Sequence, residues 1–263
     1  MSNFLFLRKL FNYKLFAKHK GGHGIHSPFV FDLITSLIEH DGEFYNYRII
    51  ENLRAYLLAD KRIIEVCDCG AGSKVFKTKF RKISQIARHS AISHKHGKLL
   101  FRLVNRFKAN TILELGTSLG ISTLYLAFAN RNAKVITIEA CKETSNIARE
   151  IFKKAELKNI VQINGLFENT LLKTLQDEQS IDFVFFDGNH TFEATMSYFE
   201  TCLPFVHNQT VFVFDDIHWS IQMENAWKQI IKHPKITASI DLFFMGIAFF
   251  RKEMQQQNFV IKF

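Results

Sequence analysis

The chain has 263 residues with 47% hydrophobic content, enough for one large α/β domain plus a helical appendage. Its formal net charge of +9 favours anionic partners over cationic ones. No run approaches the roughly 18 apolar residues of a membrane span, no signal peptide is recognisable, and Cys67, Cys69, Cys141 and Cys202 lack disulfide or zinc spacing, so a cytoplasmic protein is expected.

At the start, Phe4, Leu7, Phe11 and Leu15 recur at helical spacing, with Arg8, Lys9, Lys14, Lys18 and Lys20 between them. Such a helix can lie on a membrane surface or on nucleic acid, or pack its apolar face on the main domain, which is the preferred reading. In GGHGIHSPF, Ser27 before Pro28 predicts a helix N-cap with proline in the first turn. His23 and His26 form a lone H-x-x-H outside a helix, too little for a metal site. Further helix faces are expected at Val30–Leu37 and Ile49–Leu57.

Two glycine loops then compete. Lys61–Val66 followed by CDCGAGS imitates a strand with a cofactor loop. A nucleotide-binding βαβ unit should continue into a helix and a second buried strand ending in an acid about 20 residues on. No such strand follows the first loop, so Lys61–His96 reads as an accessory segment, a candidate flap over the site. The second loop passes the test. Thr111–Leu115 reads as a buried strand, Gly116–Gly120 as the turn, Ile121–Phe128 as a helix, and Lys134–Ile138 as a strand closing on Glu139.

From there the pattern is regular. Strands are expected at Ile160–Ile163, Ile181–Phe186, Thr210–Phe214, Thr237–Phe243 and Gly246–Phe250, the last two as a terminal hairpin with Asn258–Phe263 nearby. Continuous apolar strands alternating with helices mean a mostly parallel, doubly wound α/β sheet of seven strands, covered by helices on both faces. The domain reading is 1–96 as a mostly helical extension and 97–263 as the α/β domain.

Ligands of an open parallel sheet bind beyond the carboxyl ends of its strands. Here those ends carry Glu114 to Gly120, Glu139, Gly165–Glu168, Asp187–His190 and Asp215–Trp219. Gly116 and Gly120 are spaced G-x-x-x-G, without the middle glycine that lets a dinucleotide pyrophosphate approach. A cofactor with ribose but no phosphate, such as S-adenosylmethionine, does not need it, and Glu139 is placed for the ribose hydroxyls.

The segments ILELGTSLGISTLYLA, ITIEA, GLFENTL, IDFVFFDGNHTFE and VFVFDDIHW are similar to class I S-adenosylmethionine-dependent methyltransferases. The likeness is to the Rossmann-like O-methyltransferase branch that includes catechol O-methyltransferase, and it covers Asn110–Phe250. HGIHSPFVF, DCGAGS and KLLFRLVNRF resemble the N-terminal part of bacterial proteins carrying this domain.

The resemblance implies that Glu114, Gly116, Thr117, Ser118, Gly120 and Ser122 surround the cofactor's methionine end. Glu139 would hold the ribose, with Ala140, Phe167 and Glu168 beside the adenine. It implies Mg²⁺ ligation by Asp187, Asp215 and Asp216, with Asp187 also near the cofactor and reacting atoms. His190 falls where the catechol enzyme has a catalytic lysine and would be a general base. His218 and Trp219 either line the acceptor pocket or pack. The expected reaction is metal-assisted O-methylation of a small hydroxylated acceptor. The alternatives are a metal-independent methyltransferase, an RNA-directed one or a nucleic-acid-binding module. A homodimer through the terminal hairpin or N-terminal helix is left open.

Overall fold

The structure, a computed structural model, describes residues 3–18, 20–40, 42–67 and 78–263. The chain forms two compact units, one of Met1–Gly42 with His190–Phe263 and one of Glu43–Asn189. The DCGAGS loop lies outside the described residues, as does Cys69.

The first unit begins with α1 (Asn3–Phe16) and α2 (Pro28–Asp32), which continues into a π-helical stretch, Leu33–Ile38. Ser27 caps α2 as expected, its hydroxyl accepting from the Val30 amide at 3.4 Å.

The second unit contains α3 (Tyr45–Ala59), β1 (Ile63–Glu65), β2 (Phe80–Lys82), α4 (Ile83–His89) and α5 (His94–Phe107). β1 and β2 pair antiparallel, so the Lys61–Val66 strand does not open a parallel βαβ unit. Then come β3 (Thr111–Leu115), α6 (Ile121–Ala129), β4 (Lys134–Glu139), α7 (Lys142–Lys154), β5 (Ile160–Asn164), α8 (Phe167–Glu178) and β6 (Ile181–Phe186). These four strands are all parallel, in the order β6-β3-β4-β5. β3 and β6 are almost wholly buried, whereas β5 at the far end is half-exposed. That burial is why the apolar runs of β3, β4 and β6 read so clearly. α6 buries eight of its nine residues, having no polar face to show solvent. The sequence reading passed over α8, whose buried side is confined to Leu171, Thr174 and Leu175.

The chain returns to the first unit with α9 (Phe192–Cys202), β7 (Val206–Asp215), α10 (Ile221–Ile230), β8 (Ala238–Asp241), β9 (Met245–Phe249) and β10 (Gln257–Val260). Their strand order is β10-β8-β9-β7. β9 runs antiparallel to β7 and β8, the expected hairpin, while β10 adds parallel to β8 as a strand beyond the seven expected. The architecture is α/β and Rossmann-like, largely parallel, with an N-terminal helical extension.

Candidate active site

In the Glu43–Asn189 unit, β3 has β4 on one side and β6 on the other. The chain leaves β3 through α6 toward β4 and β5, then crosses back through α8 to β6. The connections therefore diverge between β3 and β6, the topological switch point where open α/β sheets bind ligands. The Asp187 amide donates to the Leu115 carbonyl at 2.9 Å, extending this pairing to the strand ends. Gly116 sits there at φ +108°, and a Cβ on it would lie 2.3 Å from the Asp187 carbonyl oxygen. Only glycine fits. The turn continues through Ser118 at φ +47° to Gly120, whose amide donates to the Thr117 carbonyl at 2.8 Å before α6 begins.

Two acids end the central strands. Glu114 is fully buried, and its Oε2 accepts hydrogen bonds from the Thr123 and Thr137 hydroxyls, the latter at 2.6 Å. Its Oε1 has no hydrogen bond of ordinary geometry. Burial pushes the carboxyl from its ordinary 4.5 up to about 7, with the Ser122, Thr123 and Thr137 hydroxyls pulling the other way. Glu139 accepts from the Ser118 amide through Oε2 and from the Cys141 amide through Oε1, both at 2.8 Å. Burial raises its pKa too, against those amides. Thus the glycine loop and Glu139 are brought together by a direct hydrogen bond.

The other candidates in this unit divide. Thr117 is buried, its hydroxyl 2.5 Å from that of Thr137, so it joins the hydroxyl chain around Glu114. Ser118, Ser122 and Asp187 line a recess of about 10 Å³, room for about one water, together with Ser90, Ala91 and Ile92. That last stretch belongs to the Lys61–His96 segment read as a candidate flap, but its residue types did not single it out as a ligand contact. The Phe167 ring lies over Gly188, where a Cβ would come within 2.7 Å of it. Ala140 is half-buried and Glu168 exposed.

The other unit carries the remaining candidates. His190 precedes α9, whose cap is the Thr191 hydroxyl, and its ring lies 6.0 Å from that of Trp219. Burial lowers the His190 pKa below the usual 6.5, with the Asp216 charge acting in the opposite sense. The imidazole is therefore neutral near pH 7, the form that accepts a proton. Asp216 adopts φ +55°, turning the chain after β7. His218 instead sits between acids, with Nε2 2.8 Å from Asp241 and Nδ1 3.5 Å from Glu224, stacked on the Phe243 ring.

The expected Mg²⁺ site receives no such support. Asp187 belongs to one unit and Asp215 and Asp216 to the other. Among the described residues no group of three or more His, Cys, Asp or Glu is disposed to hold a metal ion. An octahedral Mg²⁺ needs converging hard oxygen ligands, and no step below runs through a metal.

Residues 113–217 match the family of methyltransferase domains. The chain is 30% identical over 130 residues to catechol O-methyltransferase of Niastella koreensis, covering 48% of this chain and 58% of that protein. It is 25% identical over 137 residues to ribosomal RNA small subunit methyltransferase G of Lachnoclostridium phytofermentans, covering 51% and 55%. A solved O-methyltransferase from Bacillus cereus in complex with SAH has a TM-score of 0.56 at 20% identity, over 80% of this chain and 93% of that one. The chain spans little more than half the length of these curated relatives, and the solved structure shows a shared fold.

Proposed function

We propose that this chain is an S-adenosylmethionine-dependent methyltransferase acting on a hydroxyl of a small acceptor. The observation that carries the reading is Glu139. Its carboxylate is fixed by backbone amides, one of them from the glycine loop at the switch point, where the hydroxyls of a ribose would meet it. The cofactor, when bound, supplies an electrophilic methyl on a sulfonium sulfur. Gly116–Gly120 lets the backbone approach it, and Phe167 with Ala140 flanks its base. His190, whose pKa burial lowers, would accept the acceptor's hydroxyl proton as a general base.

Calorimetric titration with S-adenosylmethionine tests the cofactor reading, and no affinity at millimolar cofactor would refute it. His190→Ala should lower kcat by about 10²–10⁴-fold while leaving cofactor affinity unchanged. Metal assistance is decided separately by excess EDTA. Transfer that survives chelation supports the metal-free route, and its loss would restore Asp187, Asp215 and Asp216 as ligands.

A second reading, methyl transfer to RNA, is favoured by the +9 charge and the likeness to a ribosomal RNA methyltransferase. Tritiated methyl transfer into cell extract separates the two, because the label enters either the small-molecule or the RNA fraction. Steep salt dependence of RNA binding would accompany the second outcome.

A further inference from the structure

Helix α1 has two apolar faces, and only one is covered. Phe6 packs edge-on against the Phe243 ring at 5.6 Å, and Tyr13 lies 5.1 Å from the same ring. The Tyr13 hydroxyl donates to the Ile261 carbonyl at 2.5 Å and accepts from the Phe263 amide at 3.0 Å, while Lys9 pairs with Glu224. At 3.6 residues per turn, Phe6, Lys9 and Tyr13 share one side, and Leu7, Phe11 and Leu15 form a stripe on the opposite side. That stripe is open to solvent, with Leu7 60%, Phe11 62% and Leu15 59% exposed. Apolar residues of this size, one per turn, are not scattered singly on the surface but aligned.

We propose that this outer stripe docks α1 in the plane of an anionic lipid bilayer surface. Arg8 and Lys14, both exposed, border the stripe on its two sides, and the exposed Lys18 follows the end of the helix. No Asp or Glu occurs before Asp32. A second copy of the helix laid against the stripe would set cations against cations, whereas anionic headgroups complement all three. Long basic side chains flanking Leu and Phe suit the headgroup boundary, with charges in the headgroups and rings below. The 14 residues of α1 span only about 21 Å, short of the ~30 Å hydrocarbon core, so the helix lies on the surface and does not cross it. The contacts of Phe6, Lys9 and Tyr13 mean that docking need not unseat α1.

The test is cosedimentation of the full chain with phosphatidylcholine vesicles, with and without phosphatidylglycerol. Anionic vesicles should bind at least about tenfold more protein than neutral ones. Phe11→Ser with Leu15→Ser should lower that binding by about tenfold or more. Arg8→Gln with Lys14→Gln should abolish the anionic preference. Circular dichroism melts of both double variants should match the parent, because all four side chains are exposed. Equal binding to both vesicle types, none to either, or indifference to the substitutions would overturn the proposal. So would a dimer that Phe11→Ser with Leu15→Ser converts to monomer without vesicle binding, or RNA binding lost in Arg8→Gln with Lys14→Gln in its place.

Discussion

Glu114 and Glu139, at the ends of β3 and β4, are held by hydroxyls and backbone amides, and no cation pairs with either among the described residues. Glu224 and Asp241 in the other unit face His218, and Glu224 also pairs with Lys9. The first pair pays for burial with raised pKa values, and the second draws the His218 pKa up. A buried carboxylate that lacks a counter-ion is poised for a ligand. One already neutralised by neighbours ties its own fold together.

Removing the acids one at a time breaks this contrast if it is wrong. Glu139→Ala should weaken S-adenosylmethionine binding by about 10²–10³-fold in calorimetry, through the lost charge-assisted hydrogen bonds, with the fold retained by circular dichroism. Asp241→Asn should leave that affinity unchanged and lower the melting temperature instead. If the two variants traded these effects, the assignment would reverse.

The backbone beside Glu139 gives the next largest effect. Gly116→Ala places a Cβ against the Asp187 carbonyl at positive φ, and denaturant unfolding should show about 3 kcal/mol lost.

Stability against pH sharpens the comparison further. Glu114 has a raised native pKa, so the native state binds the extra proton between 4.5 and about 7. Stability should fall as pH rises through that window, by at most about 3 kcal/mol, and Glu114→Gln should flatten the slope. For His218, burial lowers the pKa but hydrogen bonding and charge from Asp241 and Glu224 outweigh it, leaving it raised. Its contribution is full below 6.5 and is lost as pH climbs through the native value. His218→Gln should remove the slope from that higher window. Coincident windows in the two variants would show the clusters to be coupled.

Much of the ligand-binding unit was legible because its central strands are buried on both faces. Thr111–Leu115 and Ile181–Phe186 were read with the observed limits, and Lys134–Ile138 fell one residue short. The glycine turn showed itself by spacing. α8 escaped because three buried positions in twelve residues make a weak period. β10 was foreseen only as a segment near the hairpin, since strand pairing is a long-range choice that local pattern does not encode. Within the Lys61–His96 segment read as a candidate flap, Ser90–Ile92 could not be singled out for the same reason.

By itself the sequence determined the α/β alternation, the turn at Gly116–Gly120 and the acid at Glu139, because these rest on local period and on backbone freedom that only glycine has. Tertiary structure decided what each polar group faces. It buried Glu114 in a chain of threonine hydroxyls, put His218 between two acids and left one apolar stripe of α1 uncovered. Burial and charge pairing depend on residues far apart in the chain, and their outcome is settled only when the elements pack.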